Sequence, residues 1–149
     1  MERKFSKRVP KCSSGTLMKI VADVEAYGDF VPLCKEVRVM EILGDDESKK
    51  KFKASILIEY KIFKEAFVSE VSVDRKSNII IVQSTDKPFK DLYSEWTFHQ
   101  LKSDCEVTFF VNVSFNSFMI EKIISLSFDR IAKKIISAFE ERAIKEKPI

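Results

Sequence analysis

Glycine is scarce in this chain, with three in 149 residues. A loop that cradles phosphate, or a turn that binds a dinucleotide, needs several glycines at close spacing, so neither fingerprint can be written here. Histidine is scarcer still: His99 stands alone. Along its strand it alternates away from Trp96 and Phe98, onto the solvent side, so a Ser-His pair or a histidine-based metal site lacks its base or ligand. No catalytic residue, catalytic cofactor or metal centre is therefore expected. The cysteines, Cys12, Cys34 and Cys105, are odd in number and widely spaced, with no C-x-x-C pair. Free thiols in a reducing compartment follow. No uninterrupted apolar run approaches a membrane-spanning length. The N-terminus shows neither a signal-peptide apolar block nor a long Arg/Ser-rich transit segment. The expected location is the cytoplasm, with any membrane met peripherally, on its inner face.

What is abundant is phenylalanine: thirteen, against one tryptophan and three tyrosines. Phenylalanine brings apolar area without a polar handle, which suits a core or a lipid pocket equally. Charged residues make up 33% and hydrophobic ones 45%, the balance of a globular chain with one real core. No repeat, linker or low-complexity segment interrupts it, so residues 1–149 read as one domain. The net charge of +3 does not by itself imply nucleic acid. Yet Arg3, Lys4, Lys7, Arg8 and Lys11 crowd the first strand. They read either as charge protecting an edge strand or as a docking patch for anionic lipid or RNA.

Periodicity orders the chain as strand, two helices, six strands and a long helix. Arg3–Val9 is a first strand. Ser13 or Ser14 caps a helix over Thr16–Glu25, and Glu25–Val31 is a shorter turn stopped by Pro32. Strands follow over Val37–Leu43, Phe52–Glu59, Ile62–Val73, Asn78–Thr85 and about Leu92–Phe98. Cys105–Phe115 alternates cleanly except at Phe110, with Val107, Phe109, Val111, Val113 and Phe115 on one face. A single helix over Phe118–Lys145 then carries a stripe of Ile120, Ile124, Phe128, Ile131, Ile135 and Phe139. Met119, Ile123 and Leu126 widen it, as a rim for membrane contact or self-association. Short turns between successive strands make an antiparallel meander. The expected class is α+β: a curved sheet of about seven strands closed by the last helix.

Such a sheet holds either a filled core or an oily ligand. The inward-facing candidates are Phe52, Ile56, Ile58, Phe63 and Phe67 on the earlier strands, then Trp96, Phe98, Phe109, Val111 and Val113. Phe128, Ile131 and Ile135 form the lid. Glu65 falls in phase with Phe63 and Phe67. It is either a polar contact for a ligand head or a strand-end residue in solvent.

Three stretches resemble one family. Residues 23–34, Asp-Val-Glu-Ala-Tyr-Gly-Asp-Phe-Val-Pro-Leu-Cys, are similar to the signature of the coenzyme Q-binding START-like proteins, which belong to the polyketide cyclase/dehydrase-type helix-grip superfamily. Leu33 stands where that family often has tryptophan. Pro88-Phe89-Lys90-Asp91-Leu92 and Trp96-Thr97-Phe98 match a second block, with Lys87 in place of its glycine. Val107 to Asn116, Phe128 and residues 138–143 complete the match. The resemblance implies a helix-grip fold (START-like, Bet v 1-like) and an isoprenoid quinone such as ubiquinone as bound ligand. It brings Tyr27, Phe30, Pro32, Leu33 and Cys34, around the turn at the pocket mouth, into the expected ligand site, with Tyr27 read either as a donor to a quinone carbonyl or as a packed ring with a surface hydroxyl. It also implies two roles: a non-enzymatic quinone carrier supporting respiration, or a ribosome-binding module that blocks subunit association. The second would use the basic first strand and Lys49, Lys50 and Lys51.

Overall fold

The computed structural model describes residues 1–61 and 63–146. Among them the order is β1 (Glu2–Val9), α1 (Ser14–Ala22), a 3₁₀ turn (Val24–Asp29), β2 (Cys34–Asp45), β3 (Lys49–Tyr60), β4 (Phe63–Asp74), β5 (Ile79–Ser84), β6 (Phe89–Gln100), β7 (Cys105–Phe115), α2 (Phe118–Ser125) and α3 (Phe128–Lys145). The strands form one sheet in the order β1-β7-β6-β5-β4-β3-β2, each pair antiparallel. This is the expected helix-grip: a meander in which the first strand returns to pair with the last, with helices on one face. Ile62, the expected start of the fourth strand, lies outside the described residues.

Alternation places the interior. Phe52, Ala54, Phe67, Val71, Ile80, Trp96, Val107 and Val111 are all buried, and paired positions carry the same face across neighbouring strands (Phe52↔Val71, Ile80↔Trp96). Phe110 departs from apolar alternation because it is on the other face, where its ring meets Tyr93 at 6.2 Å. His99 is exposed, opposite Glu106. The register shifts between Phe89 and Asp91 on β6. That bulge turns both Phe89 and Leu92 inward, although three positions separate them.

Ser13 caps α1, its hydroxyl accepting from the Thr16 N–H at 3.1 Å. Gly28 lies so close to β2 that a Cβ there would sit 2.7 Å from the Lys35 carbonyl oxygen, so only glycine fits this approach.

The last helix differs from expectation. It is not continuous over residues 118–145: Leu126 and Ser127 separate α2 from α3. Ser127 leaves helical geometry (φ −123°, ψ 6°) and its N–H turns back to the Ile124 carbonyl. The apolar stripe runs across the break, so periodicity alone does not reveal it. The local signal is Ser125-Leu126-Ser127, where serine competes for backbone partners and favours caps over helix interiors. The two helices also pack differently. On α3 Ala132, Ile136, Phe139 and Ala143 are buried, whereas α2 has no buried residue.

The interior is divided. A filled half joins α1 and α3 to the sheet through Leu17, Val21, Phe52, Val71, Ile80 and Trp96. A second cluster, Phe67, Phe89, Val111, Val113 and Phe115, lies toward α2. Aromatic rings stand between them. Phe139 meets Tyr27, Phe30 and Trp96 at 5.2, 5.4 and 5.2 Å, and Trp96 meets Phe109 at 4.4 Å.

Candidate functional site

The second cluster does not close on itself. Between it and the helices lies a cavity of about 180 Å³. Its floor is Phe109, Val111, Val113 and Phe115 on β7 with Phe89 and Leu92 on β6; its side is Ile58, Tyr60 and Phe63. Ile124 of α2 and Phe128, Ile131, Ala132 and Ile135 of α3 roof it, and Leu33 closes one end. The lining is hydrocarbon throughout, with Tyr60 contributing its ring. Such a space binds by the hydrophobic effect and selects by shape.

Nine of the expected ligand residues line this cavity: Leu33, Ile58 and Phe63; Phe109, Val111 and Val113; and Phe128, Ile131 and Ile135. Leu33 holds a left-handed backbone (φ 73°), which is unfavourable for a side chain with a Cβ. Its carbonyl accepts the Glu59 N–H at 2.9 Å, fixing that conformation against β3.

The other nine lie elsewhere. Trp96 and Phe98 are buried in the filled half. Phe67 is buried behind the cavity wall, its ring 4.8 Å from Phe89, and Ile56 packs against both clusters without reaching the void. Phe30 and Pro32 border a separate surface groove with Arg130, Lys133 and Lys134. Tyr27 is not free to donate to a ligand: its hydroxyl donates to the Val21 carbonyl, and its ring packs on Phe139. Burial first, then Cys34 and Asp23, push its pKa far up, so it stays a neutral phenol. Cys34 pairs with Ile58 at the start of β2, and burial pushes its thiol up to about 11. Glu65 is paired with Ile58 but exposed, at the solvent end of β4.

Six lining residues were missed as site residues: Tyr60, Phe89, Leu92, Phe115, Ile124 and Ala132. Phe115 and Ile124 already stood on the right faces by period. Leu92 is in phase with Trp96 and Phe98 and also stood on the right face, whereas Phe89 was hidden by the β6 bulge and Ala132 by its small side chain. Tyr60 follows Ile58 by two positions, so alternation alone was enough to find it.

A larger space of about 500 Å³ opens at the far side of α1, but Lys19, Asp23, Glu25, Lys50 and Arg75 rim it. Hydrocarbon gains less there than against the wholly apolar lining between the sheet and α2–α3.

Three of the four cations of β1 are engaged. Arg3 pairs with Asp129 at 3.0 Å, Lys7 with Glu140 at 3.2 Å and Arg8 with Asp104 at 2.7 Å. Such exposed pairs add little stability, yet they turn much of the basic strand toward α3 and the β6–β7 turn. Above the cavity the surface is apolar instead: Phe118, Met119 and Leu126 are 81%, 71% and 83% exposed. No described helix is long and apolar enough to cross a membrane.

Comparison with known proteins agrees with this geometry. A family model described as "Polyketide cyclase / dehydrase and lipid transport" matches residues 12–140. The chain is 28% identical over 130 residues to the ribosome association toxin RatA of Rickettsia prowazekii (strain Madrid E), covering 85% of this chain and 86% of that one. It is 30% identical over 128 residues to the mitochondrial coenzyme Q-binding protein COQ10 homolog B of Xenopus laevis, covering 83% of this chain and 50% of that protein. The chain thus spans about half the length of the latter. Among solved structures, the 18 kDa protein CC1736 of Caulobacter crescentus superposes with a TM-score of 0.81 at 27% identity over 97% of both chains.

Proposed function

We propose that this chain, which belongs to the polyketide cyclase/dehydrase and lipid transport family, acts as one non-enzymatic lipid-binding domain. Its cargo is an isoprenoid quinone of the ubiquinone class, carried in support of respiratory electron transfer. The observation that carries this reading is the apolar cavity between the sheet and α2–α3. The likeness to a coenzyme Q-binding protein adds the ligand class.

The energetics favour such a ligand. Burying a methylene contributes about 0.8 kcal/mol, so one isoprene unit contributes roughly 3–4 kcal/mol before ordering costs. A void of about 180 Å³ is smaller than the usual 300–1,000 Å³ of small-molecule sites. A long tail therefore requires the roof to lift. The part of the roof with no buried residue is α2, so it is the element that yields.

Mass spectrometry of an organic extract of the purified protein tests the reading. A quinone in stoichiometric amount is the expected result. An extract without lipid, from a chain that also fails to take up added ubiquinone, contradicts it.

Entry through a membrane surface follows from α2. Phe118, Met119 and Leu126 offer apolar anchors, and Lys122, Arg130, Lys133 and Lys134 are exposed nearby in sequence, the mix that binds an anionic interface. Met119→Glu with Ile123→Glu is expected to reduce flotation with anionic liposomes at least tenfold while leaving the unfolding transition in place. Flotation equal to wild type removes the membrane step.

A second reading is a ribosome-directed module, favoured by the match to RatA over most of both chains. The surface available to it is the α3 ridge of Arg130, Lys133 and Lys134 rather than β1, whose Arg3, Lys7 and Arg8 are paired. It requires salt-sensitive cosedimentation with a ribosomal subunit, whatever the content of the cavity.

A further inference from the structure

α1 packs chiefly on β5, β6 and β7. Between it and the inner face of β2, β3 and β4 lies the space of about 500 Å³, within the roughly 300–1,000 Å³ of small-molecule sites. Its floor is apolar: Val39 on β2, Phe52 on β3 and Val73 on β4, with Met18, Ala22 and Val24 on the helix side.

One charged residue stands on that same floor. Lys50 is in phase with Phe52 and Ala54 and pairs with the buried Val73, so alternation puts it on the inner face of the sheet. It is half-buried, whereas Lys19, Asp23, Glu25 and Arg75, the other charged residues of the lining, are exposed. Its neighbour Lys51 is on the outer face and pairs with Glu70 at 2.7 Å. Lys50 has no such partner: among the described residues no carboxylate is within ion-pair distance, and Asp45, opposite it on β2, is paired with Arg75 at 3.9 Å. Its ammonium stands instead 5.5 Å from the centre of the buried Phe52 ring. A charge drawn out of water without a counter-ion is costly, and a cation–π contact offsets only part of that. The Glu25 carboxylate is held by the Val39 N–H at 3.0 Å, and Arg75 donates to the Asp46 carbonyl at 2.9 Å. Three cations and two acids on the lining leave one net positive charge, which suits a single anionic head and not a polyanion.

We infer that this space is a second binding site, for an amphiphile with one carboxylate head. The head meets Lys50, and the apolar body lies against Val39, Phe52, Val73 and Met18. The two spaces share no lining residue, so this site stands apart from the carrier reading.

Titration of the isotope-labelled full chain with decanoate at neutral pH, followed by amide chemical shifts, locates the site, and calorimetry compares decanoate with decanol. Shifts are expected to cluster at Val39, Lys50, Phe52 and Val73. Lys50→Gln is expected to weaken decanoate there by about 5- to 20-fold and to leave decanol unchanged. Lys50→Arg, which keeps the charge, should retain the affinity, and Lys51→Gln should change neither ligand. Shifts confined to Phe109, Val111 and Val113 put the amphiphile in the other cavity and overturn the site. So do an absence of shifts, equal losses for decanoate and decanol, or a loss as large in Lys51→Gln. Quinone loading of Lys50→Gln should equal wild type. A chain that carries no quinone yet binds decanoate at Lys50 contradicts the carrier reading alone.

Discussion

Phe139→Ala is expected to lower the unfolding free energy by about 3–5 kcal/mol, the range for truncating a buried phenylalanine. Domains of this kind are stable by only about 5–15 kcal/mol, so the loss is a large share of the total. Phe139 is 3% exposed and touches three other rings, those of Tyr27, Phe30 and Trp96. It ties α3 to the 3₁₀ turn and to β6 at once, so its removal leaves a void that none of these elements can fill without moving. Urea unfolding measures the effect, with Phe128→Ala as the comparison. Phe128 is only half-buried and already borders open space, so its truncation should cost well under half as much. Equal losses at the two positions would mean that the interior is one continuous core and that the aromatic partition has no energetic meaning.

Ile131→Trp is expected to abolish ligand loading, with at least a tenfold fall in quinone recovered per protein. Ile131 is half-buried on the cavity side of α3, one position before the buried Ala132. A larger ring there occupies the void from the roof without displacing the Ala132–Ile136–Phe139–Ala143 face that holds the helix down. Overpacking in a filled core costs about 1–3 kcal/mol. Here the ring enters empty volume, so the melting temperature should hold or rise. Quinone loading equal to wild type, in a variant that melts normally, would place the ligand somewhere other than beneath α2. The same variant separates the two roles: a chain emptied of lipid that still cosediments with a ribosomal subunit acts through its surface.

Much of this was legible in the residues. Strict alternation on β7 fixed the inward set Phe109, Val111 and Val113, because a period of two leaves no freedom about which face a residue joins. The proline after Val31 and the serine before α1 marked the helix ends for the same local reason. The helix-grip arrangement was the expectation, and the sheet order bears it out. What escaped was whatever depends on three dimensions. The β6 bulge brought Phe89 inside against simple counting. The division of the interior sent Trp96 and Phe98 to the filled half and Phe109 to the hollow one, though all three share the sheet's inner face. Tyr27 carries the same donor as Tyr60, but its partner, the Val21 carbonyl, is set by how the 3₁₀ turn meets α1. The helix break at Ser127 was hidden by a stripe that continues across it.

The aromatic wall formed by Phe139, Trp96 and Phe109 separates two duties of the molecule. On one side, side chains close-pack; on the other they border open volume. Substitutions at Ile58, Leu92, Ile124 or Ile131 are thereby relieved of most of the folding constraint. On the carrier reading, changes on the hollow side would alter which greasy passenger fits, while the half around Leu17, Phe52 and Ile80 keeps the fold.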